Sequence, residues 1–299
     1  MEVAEHRVEV EPGVRLAAWV ADGRSARREP DDPEPVALLF VHGLASNAKL
    51  WDVTSLELAS RGNLVAAVDL RGHGMSDKPD TGYDFARMVA DLQKVLDELG
   101  LERPILGGQS MGANLVLEMA WRHPESVTGV VCVDGGTIEL SRGFPDCDDA
   151  ASALAPPPLV GTQETAMRAM LLRSHPSWPQ TGIESTMANF CLRADGTIAP
   201  NLSRGNHMLI LRSLWEDRPT EKFATIRVPA LFVFAGASGP PDKRKGAAAA
   251  KARIGRVEVV WFDDADHDIH AQYPVELAEL LEDRIRRGFF TSSDILAGD

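Results

Sequence analysis

A Gly-x-Ser-x-Gly pentapeptide at residues 108–112 constrains the fold of this chain more than any other feature. A short, largely apolar run, residues 103–107, precedes it, and a segment of helical character, residues 113–121, follows it. In such a turn the serine lies in a strained backbone conformation at a strand-to-helix junction, and its hydroxyl stays exposed. The residues two before and two after the serine face each other closely, so Gly108 and Gly112 avoid a collision. The pattern predicts a strand, a sharp turn carrying Ser110 as a candidate nucleophile, and a helix.

Short apolar runs alternate with amphipathic segments towards both ends of the chain. Because these runs are apolar almost without alternation, they are typical of parallel strands that helices cover on both faces. Two further runs, residues 7–10 and 14–20, flank a Glu-Pro-Gly turn and predict an antiparallel hairpin at the sheet edge. The predicted fold class is therefore α/β with a mostly parallel sheet. The predicted parallel strands are residues 36–41, 64–68, 105–107, 127–133, 231–235 and 257–262.

The alternation stops between Gly136 and Thr225, where a proline cluster at 156–158 accompanies scattered helical pieces. A structureless loop of that length is implausible inside a compact domain. We therefore expect residues 137–225 to form a small, mainly helical cap on a core domain made of residues 1–136 and 226–299. Large side chains of this segment are candidates for lining a substrate pocket, although aromatic residues also dominate ordinary core packing. These candidates are Phe144, Trp178, Phe190, Trp215 and His207.

The charge and cysteine content of the 299 residues exclude several classes of partner. A net charge of −13 argues against nucleic acid and against an anionic membrane surface, because both need a basic patch. Three cysteines without C-x-x-C spacing predict neither a disulfide framework nor a zinc site. The N-terminus lacks the basic and apolar segments of a signal peptide, and no stretch approaches the ~20 apolar residues that span a bilayer. We expect a cytoplasmic protein, monomeric or homodimeric, that acts on a small molecule and holds no metal.

The candidate nucleophile needs a general base, normally a histidine that a carboxylate orients. Where a Gly-x-Ser-x-Gly turn carries the nucleophile, the histidine follows the acid and comes last in the chain. His267 directly follows the predicted strand 257–262, at the strand end where open α/β sheets place their sites. His267 is therefore the candidate base, and His270 is the alternative. The acidic residues between 263 and 268, together with the two imidazoles, leave a metal site open as another interpretation.

Acyl transfer also needs backbone amides that stabilise the developing oxyanion, each contributing ~3 kcal/mol. The amide of Met111, directly after the candidate nucleophile, is one expected donor. The other is expected after the strand 36–41, where His42 and Gly43 form a tight turn that leaves the Leu44 amide free. We interpret His42 as a side chain that fixes this turn.

Four motifs together resemble the α/β-hydrolase fold superfamily over nearly the whole chain. They are Phe-Val-His-Gly-Leu at 40–44, Asp-Leu-Arg-Gly-His-Gly-Met-Ser at 69–76, the pentapeptide at 108–112, and His267 seven residues before Pro274. The resemblance implies an eight-stranded, mostly parallel sheet flanked by helices, with the cap inserted after the sixth strand. It also implies no cofactor and a structural role for residues 69–76. Members with an aspartate nucleophile are disfavoured, because the elbow position here is serine.

The acid of the triad departs from the family's pattern. Members usually carry it in a Gly-x-x-Asp turn after the seventh strand, whereas this chain has Gly239 in place of the aspartate. Asp134 ends the sixth strand before two glycines, and some relatives carry their acid there, so Asp134 is the candidate. Asp242 is the rival, because it lies in the usual loop, although three residues late and behind two prolines. A dyad without an acid is the third possibility.

These residues predict a serine hydrolase that cleaves a small ester, lactone or thioester through an acyl-enzyme on Ser110, without a cofactor. The missing acid motivates a second hypothesis, a hydrolase-like ligand-binding protein that turns over little or nothing. A third is a specialised biosynthetic enzyme that uses the same residues, such as a cyclase, a carbon–carbon bond hydrolase or a cofactor-free haloperoxidase. The sequence does not separate these hypotheses.

Overall fold

The predicted apolar runs form an eight-stranded sheet in the computed structural model, which describes residues 2–25, 34–236 and 241–291. The strands in chain order are β1 (Val3–Glu11), β2 (Val14–Asp22), β3 (Ala37–Val41), β4 (Leu64–Val68), β5 (Ile105–Gln109), β6 (Gly129–Val133), β7 (Phe190–Leu192), β8 (Ile198–Pro200), β9 (Ala230–Ala235) and β10 (Val257–Phe262). The large sheet has the order β1-β2-β4-β3-β5-β6-β9-β10, and β7 and β8 form a separate pair. The prediction of a mostly parallel, eight-stranded sheet is confirmed.

Six neighbouring strands of the large sheet, from β4 to β10, run parallel to one another. The predicted edge hairpin is present as β1 and β2, and β2 pairs antiparallel with β4. Every residue of β4, β5, β6 and β9 is buried, because helices cover both faces of the sheet. Val41 lies opposite Gly108 and Gly108 opposite Cys132, so the carboxyl ends of β3, β5 and β6 lie side by side.

The amphipathic segments between the strands form the helices. In α2, Asp84 caps the N-terminus by accepting a hydrogen bond from the Arg87 amide, and Gly100, at φ 62°, ends the helix. No helix within the described ranges is long and apolar enough to cross a membrane. The helices are α1 (Asp52–Ser60), α2 (Phe85–Leu99), α3 (Met111–Arg122), α4 (Leu140–Gly143), α5 (Cys147–Ala153), α6 (Glu164–Ser174), α7 (Gln180–Met187), α8 (Arg204–Glu216), α9 (Pro219–Lys222), α10 (Pro241–Arg253), α11 (Ile269–Gln272) and α12 (Pro274–Arg286).

Residues 137–225, between β6 and β9, form an inserted segment that holds α4 to α9 and the hairpin of β7 and β8. The sequence did not predict this hairpin, because strands of three residues are too short to show a period. Helices α6 and α7 of the inserted segment pack onto the core through one apolar cluster, in which Met167 and Ile183 join Leu50 and Ala271. The inserted segment therefore packs against the loops that follow β3 and β10.

Both ends of the inserted segment are tied to helix α3 through one side chain, that of Asn114. Its amide nitrogen donates to the Ile138 carbonyl and to the Asp217 carboxylate, each at 2.8 Å. Its amide oxygen accepts a hydrogen bond from the Gly136 amide at 2.9 Å. Lys222 forms an ion pair with Asp217 at 2.7 Å and neutralises this buried carboxylate. The segment thus leaves and re-enters the core next to the helix that follows Ser110.

The turn between β5 and α3 is closely packed, and this packing makes Gly108→Ala destabilising. A Cβ atom at Gly108 would lie 2.2 Å from the Gly112 carbonyl oxygen, which is backbone and cannot rotate away. We expect the free energy of unfolding to fall by roughly 1–3 kcal/mol, as for other overpacked cores. The matched control is Gly143→Ala, because a Cβ atom there would meet nothing within 4 Å. Urea unfolding curves measure both variants, and equal stability of the two would contradict this account.

Candidate active site

Ser110 lies at the carboxyl end of β5 with φ 53° and ψ −121°, a conformation that residues other than glycine rarely adopt. Its amide donates to the Val133 carbonyl of the neighbouring strand at 2.9 Å. A Cβ atom at Gly135 would lie 2.2 Å from the Ser110 carbonyl oxygen, so the chain after β6 touches the turn directly. The predicted strand, strained turn and helix are all present, with Ser110 half-buried at the apex.

The two expected oxyanion donors are backbone amides near Ser110. Within the described residues, neither the Leu44 amide nor the Met111 amide donates a hydrogen bond to the protein. Met111 begins α3, where the first amides of a helix have no partner of their own. Leu44 follows Gly43, whose Cβ position would be 3.1 Å from the Ser110 Cβ atom. Any side chain at Gly43 would therefore crowd the serine that these amides flank.

Three side chains from the loops after β3 and β4 hold the loop that carries Leu44. The Nδ1–H of His42 donates to the Gly43 carbonyl, and its Nε2 accepts from the Leu70 amide. His73 Nε2 accepts from the Ala45 amide at 3.2 Å, and Asp69 accepts from the Ala48 amide at 2.7 Å. Burial holds the pKa of both imidazoles below the usual value, so each ring is neutral and accepts through one nitrogen.

His267 and Asp134 form a hydrogen-bonded pair at the carboxyl ends of β10 and β6. The Nδ1 atom of His267 lies 2.6 Å from a carboxylate oxygen of Asp134. The Asp134 side chain is only 2% exposed, whereas the His267 side chain is 53% exposed. Asp134 also accepts from the Ala235 amide at 3.0 Å and forms an ion pair with Lys243 at 2.7 Å. The buried carboxylate is thus fixed from three sides and orients an accessible imidazole.

The charges of this pair move the two pKa values in opposite directions. Burial works to raise the pKa of Asp134, but hydrogen bonds from His267, Lys243 and the Ala235 amide hold it below its ordinary value. Burial works to lower the pKa of His267, but Asp134 and the nearby Asp268 carboxylate raise it above its ordinary value. At neutral pH Asp134 is therefore ionised and stabilises a proton on His267.

The side chain of Gln109, directly before Ser110, connects the turn to the histidine loop. Its amide nitrogen donates to the His267 carbonyl at 3.3 Å and to the Asp268 carboxylate at 3.0 Å. In the described part of the chain no hydrogen bond joins the Ser110 hydroxyl to His267. Such bonds between nucleophile and base are often long before substrate binds and tighten in the complex.

The alternatives left open by the sequence occupy other environments. His270 is fully buried against Trp51, with ring centroids 4.5 Å apart, and burial lowers its pKa to about 3. Asp242 is 92% exposed and contacts Lys245 on its own helix. Residues 237–240, which include the family's usual acid position, lie outside the described residues. Across residues 2–25, 34–236 and 241–291, no three acidic, histidine or cysteine side chains are grouped as a metal site requires.

Four of the five candidate pocket residues of the inserted segment make packing or polar contacts. The Trp178 indole donates to the Asp266 carboxylate at 3.0 Å. This hydrogen bond links the loop before α7 to the histidine loop. The Trp215 indole donates to the Phe144 carbonyl at 2.7 Å within the inserted segment. His207 is buried in α8. Composition identified these side chains as large but did not show which way they point.

Two cavities lie near the candidate site. The larger, of about 840 Å³, adjoins the loop after Leu44, and none of Trp178, Trp215, Phe144 and His207 lines it. Its lining includes Ala45, Ser46, His73 and Phe190. The smaller, of about 270 Å³, includes Asp134, Lys243 and Phe144.

Three residues around the candidate triad were not singled out by the sequence: Lys243 and Gln109 contact it, and His73 holds the neighbouring loop. Lys243 directly follows the rival acid Asp242, and its place in that loop was the only signal. Gln109 occupies the variable position before the serine, and its place inside the Gly-x-Ser-x-Gly motif was the signal that could have identified it. His73 lies in the motif at 69–76, for which the resemblance implied a structural role, and its bond to Ala45 agrees with that role.

Comparison with known proteins identifies the class of this chain. A family model described as the alpha/beta hydrolase fold matches residues 36–274. The chain therefore belongs to the α/β-hydrolase fold family.

Individual relatives are similar to different extents. A 2-(acetamidomethylene)succinate hydrolase of Mesorhizobium japonicum is 29% identical over 79% of this chain and 83% of that protein. A protein of Mycobacterium phage D29, provisionally named as a non-heme haloperoxidase, is 40% identical, but over only 32% of this chain and 35% of that protein. A solved structure of E-2-(acetamidomethylene)succinate hydrolase has a TM-score of 0.73 at 24% identity, covering 95% and 99% of the two chains. The thioesterase domain from the curacin biosynthetic pathway has a TM-score of 0.72 at 21% identity, covering 94% and 99%.

The contact between Asp134 and His267 predicts which carboxylate matters for activity. We expect Asp134→Asn to lower kcat on an ester by up to ~10⁴-fold with KM little changed, because His267 loses the partner that sets its tautomer. Asp242→Asn is the matched control, and we expect it to stay within about twofold of the wild type, because that side chain is exposed. Steady-state kinetics on both variants decide, and a large loss in Asp242→Asn alone would reverse the assignment.

The charges around His267 predict the pH dependence of activity. A general base must be unprotonated, so we expect kcat/KM to rise with pH through a pKa above 6.5, because Asp134 and Asp268 raise that pKa. Lys243→Met removes a positive charge that lowers the pKa of His267, so this limb should move to higher pH. Lys245→Met, on the same helix but 73% exposed, is the matched control. Profiles of kcat/KM against pH that shift equally in both variants would contradict the role of Lys243.

Proposed function

We propose that this protein is a serine hydrolase that cleaves a small-molecule ester, lactone or thioester through an acyl-enzyme formed on Ser110. The observation that carries the proposal is the pairing of an accessible His267 with a buried, ionised Asp134, in a loop that Gln109 connects to the strained turn of Ser110. A buried carboxylate that orients a histidine next to a serine is the arrangement that activates a hydroxyl for attack on a carbonyl. No cofactor enters this chemistry.

In the proposed reaction the Ser110 hydroxyl attacks the substrate carbonyl carbon while His267 accepts its proton through Nε2. Asp134 stabilises the imidazolium that forms. As the bond from Ser110 to the carbonyl carbon forms, the electron pair of the carbonyl π bond moves onto oxygen, and the Leu44 and Met111 amides donate to the resulting oxyanion. His267 then protonates the leaving oxygen or sulfur, and the acyl group stays on Ser110. A water molecule, deprotonated by His267, releases the acid and restores the serine.

We further propose that residues 137–225 act as a cap over this site and that the remaining residues form the core domain. The support is a set of contacts from the inserted segment to the loops at the carboxyl ends of the strands. Asn47, in the loop after β3, donates to the Ser185 carbonyl at 2.9 Å. Gln272, after the histidine loop, donates to the Ser177 hydroxyl at 2.9 Å. A segment held to both loops covers the strand ends where Ser110 and His267 lie.

The named relatives support hydrolysis as the reaction class. The Mesorhizobium japonicum protein, which matches most of this chain, is named as a hydrolase, and the curacin neighbour is named as a thioesterase. These names concern those proteins, and the bond that this chain cleaves is our proposal.

The proposal predicts that Ser110→Ala abolishes ester hydrolysis while the fold persists, because the hydroxyl supplies the covalent chemistry and little packing. We expect kcat to fall by several orders of magnitude on p-nitrophenyl acetate. Ser60→Ala, an exposed serine at the end of α1, is the control that keeps full activity.

A fluorophosphonate probe separates the proposed enzyme from a ligand-binding protein. The probe forms a covalent bond with an activated serine, so native protein and the Ser60→Ala variant should be labelled, whereas Ser110→Ala and heat-denatured protein should not. Native protein without label, or Ser110→Ala with more than a tenth of wild-type activity, would refute the proposed function.

A further inference from the structure

The larger cavity, of about 840 Å³, is built by two parts of the chain. The core supplies Ala45, Ser46 and His73, and the inserted segment supplies the remaining lining. Its volume falls within the ~300–1,000 Å³ that is usual for pockets that enclose a small organic molecule.

The lining of this cavity is mainly apolar. Its apolar side chains come from the proline cluster, helix α6, the hairpin and the residues that follow the cluster and the hairpin, and include Leu159, Met167, Met170, Phe190 and Leu202. Among the lining residues of the described chain there is no aspartate or glutamate, and the charged groups are Arg173 and Arg204. The His73 ring, which also lines the cavity, is neutral. The cavity therefore favours an apolar occupant and disfavours a cationic one.

The cavity begins one residue from a proposed oxyanion donor. Ala45, which lines it, directly follows Leu44 and lies at φ 56°, in the left-handed region. His73, which also lines it, holds Ala45 by accepting its amide hydrogen bond. A group bound in the cavity therefore touches the loop that positions the Leu44 amide.

We propose that this cavity binds an apolar chain of the substrate, so that the protein prefers esters or thioesters of medium-length aliphatic chains over short polar substrates. The proposal rests on the proposed serine-hydrolase function and deepens it. The chain can belong to the acyl part or to the alcohol part, since both are bonded to the carbon that Ser110 attacks.

Two exposed side chains of α6 provide a matched test. Met170 is 45% exposed and lines the cavity, whereas Leu172 is 53% exposed and does not line it. Glutamate is a good helix former, so Met170→Glu and Leu172→Glu leave α6 intact while only the first places a charge in the cavity.

The first measurement is kcat/KM along two series, p-nitrophenyl esters from acetate to decanoate and alkyl acetates from ethyl to decyl. We expect the wild type to gain up to about fourfold per added methylene in one series, the limit for full burial of each CH₂. Met170→Glu should lower the ratio of the longest to the shortest substrate at least tenfold, with the shortest ester little changed, and Leu172→Glu should leave the ratio unchanged. Equal ratios in the two variants would overturn the proposal, and so would kcat/KM values of the wild type that do not change along either series. Faster cleavage of a short dicarboxylic amide than of any long ester would also overturn it.

The second measurement detects the cavity without catalysis. Decanoate should bind the Ser110→Ala protein in calorimetry, and addition of Met170→Glu should weaken that binding at least tenfold. Decanoate binding without ester turnover by the wild type would refute the serine-hydrolase function and keep the cavity assignment. Ester turnover with no chain preference and no decanoate binding would refute the cavity assignment and keep the function.

Discussion

The close approach of backbone segments around Ser110 is the constraint on which the rest of the site depends. Gly112 lies against the Val41 and His42 carbonyls, and Gly135 lies against the Ser110 carbonyl, so strands β3, β5 and β6 meet at this turn without intervening side chains. This contact fixes the strained serine between the ends of its two neighbouring strands. It also places the start of α3 beside the loop after β3, so the Leu44 and Met111 amides lie on either side of the same serine. A geometry built from backbone contacts needs no ligand to form.

The histidine is held differently, by polar side chains from several elements. Asp134 fixes its ring, Gln109 fixes its backbone carbonyl, and Trp178 of the inserted segment binds the neighbouring Asp266. The residue before the nucleophile thus helps to place the base, and the inserted segment contacts the same loop. Lys243 completes this network from α10 and neutralises the buried carboxylate. The positive charge of Lys243 lowers the pKa of His267, whereas the negative charge of Asp134 raises it.

The sequence predicted the parts of the structure whose signals are local. Glycine spacing around Ser110 and the uniformly apolar runs predicted the turn and the parallel strands, because steric crowding and two-sided burial each leave a mark within a few residues. The contact of Asp134 with His267 was one of three alternatives, since it joins residues 133 positions apart. The larger cavity and the role of Lys243 did not follow from the sequence, because both depend on how separate segments pack. Aromatic content alone did not distinguish Phe190, which lines the cavity, from Trp215, which donates to a carbonyl of its own segment.

The Asn114 amide has a consequence for how this fold can vary. It binds the carbonyl of Ile138 where the chain leaves the core and the carboxylate of Asp217 where the chain returns. The two ends of the inserted segment are therefore both hydrogen-bonded to one side chain of α3, the helix that follows the serine. Lengthening or exchanging the residues between these two ends leaves the spacing of β6 and β9 unchanged, because strand pairing and the hydrogen bonds of Asn114 set that spacing. Natural divergence or laboratory grafting can thus replace the residues that this segment contributes to the larger cavity while the serine turn stays in place.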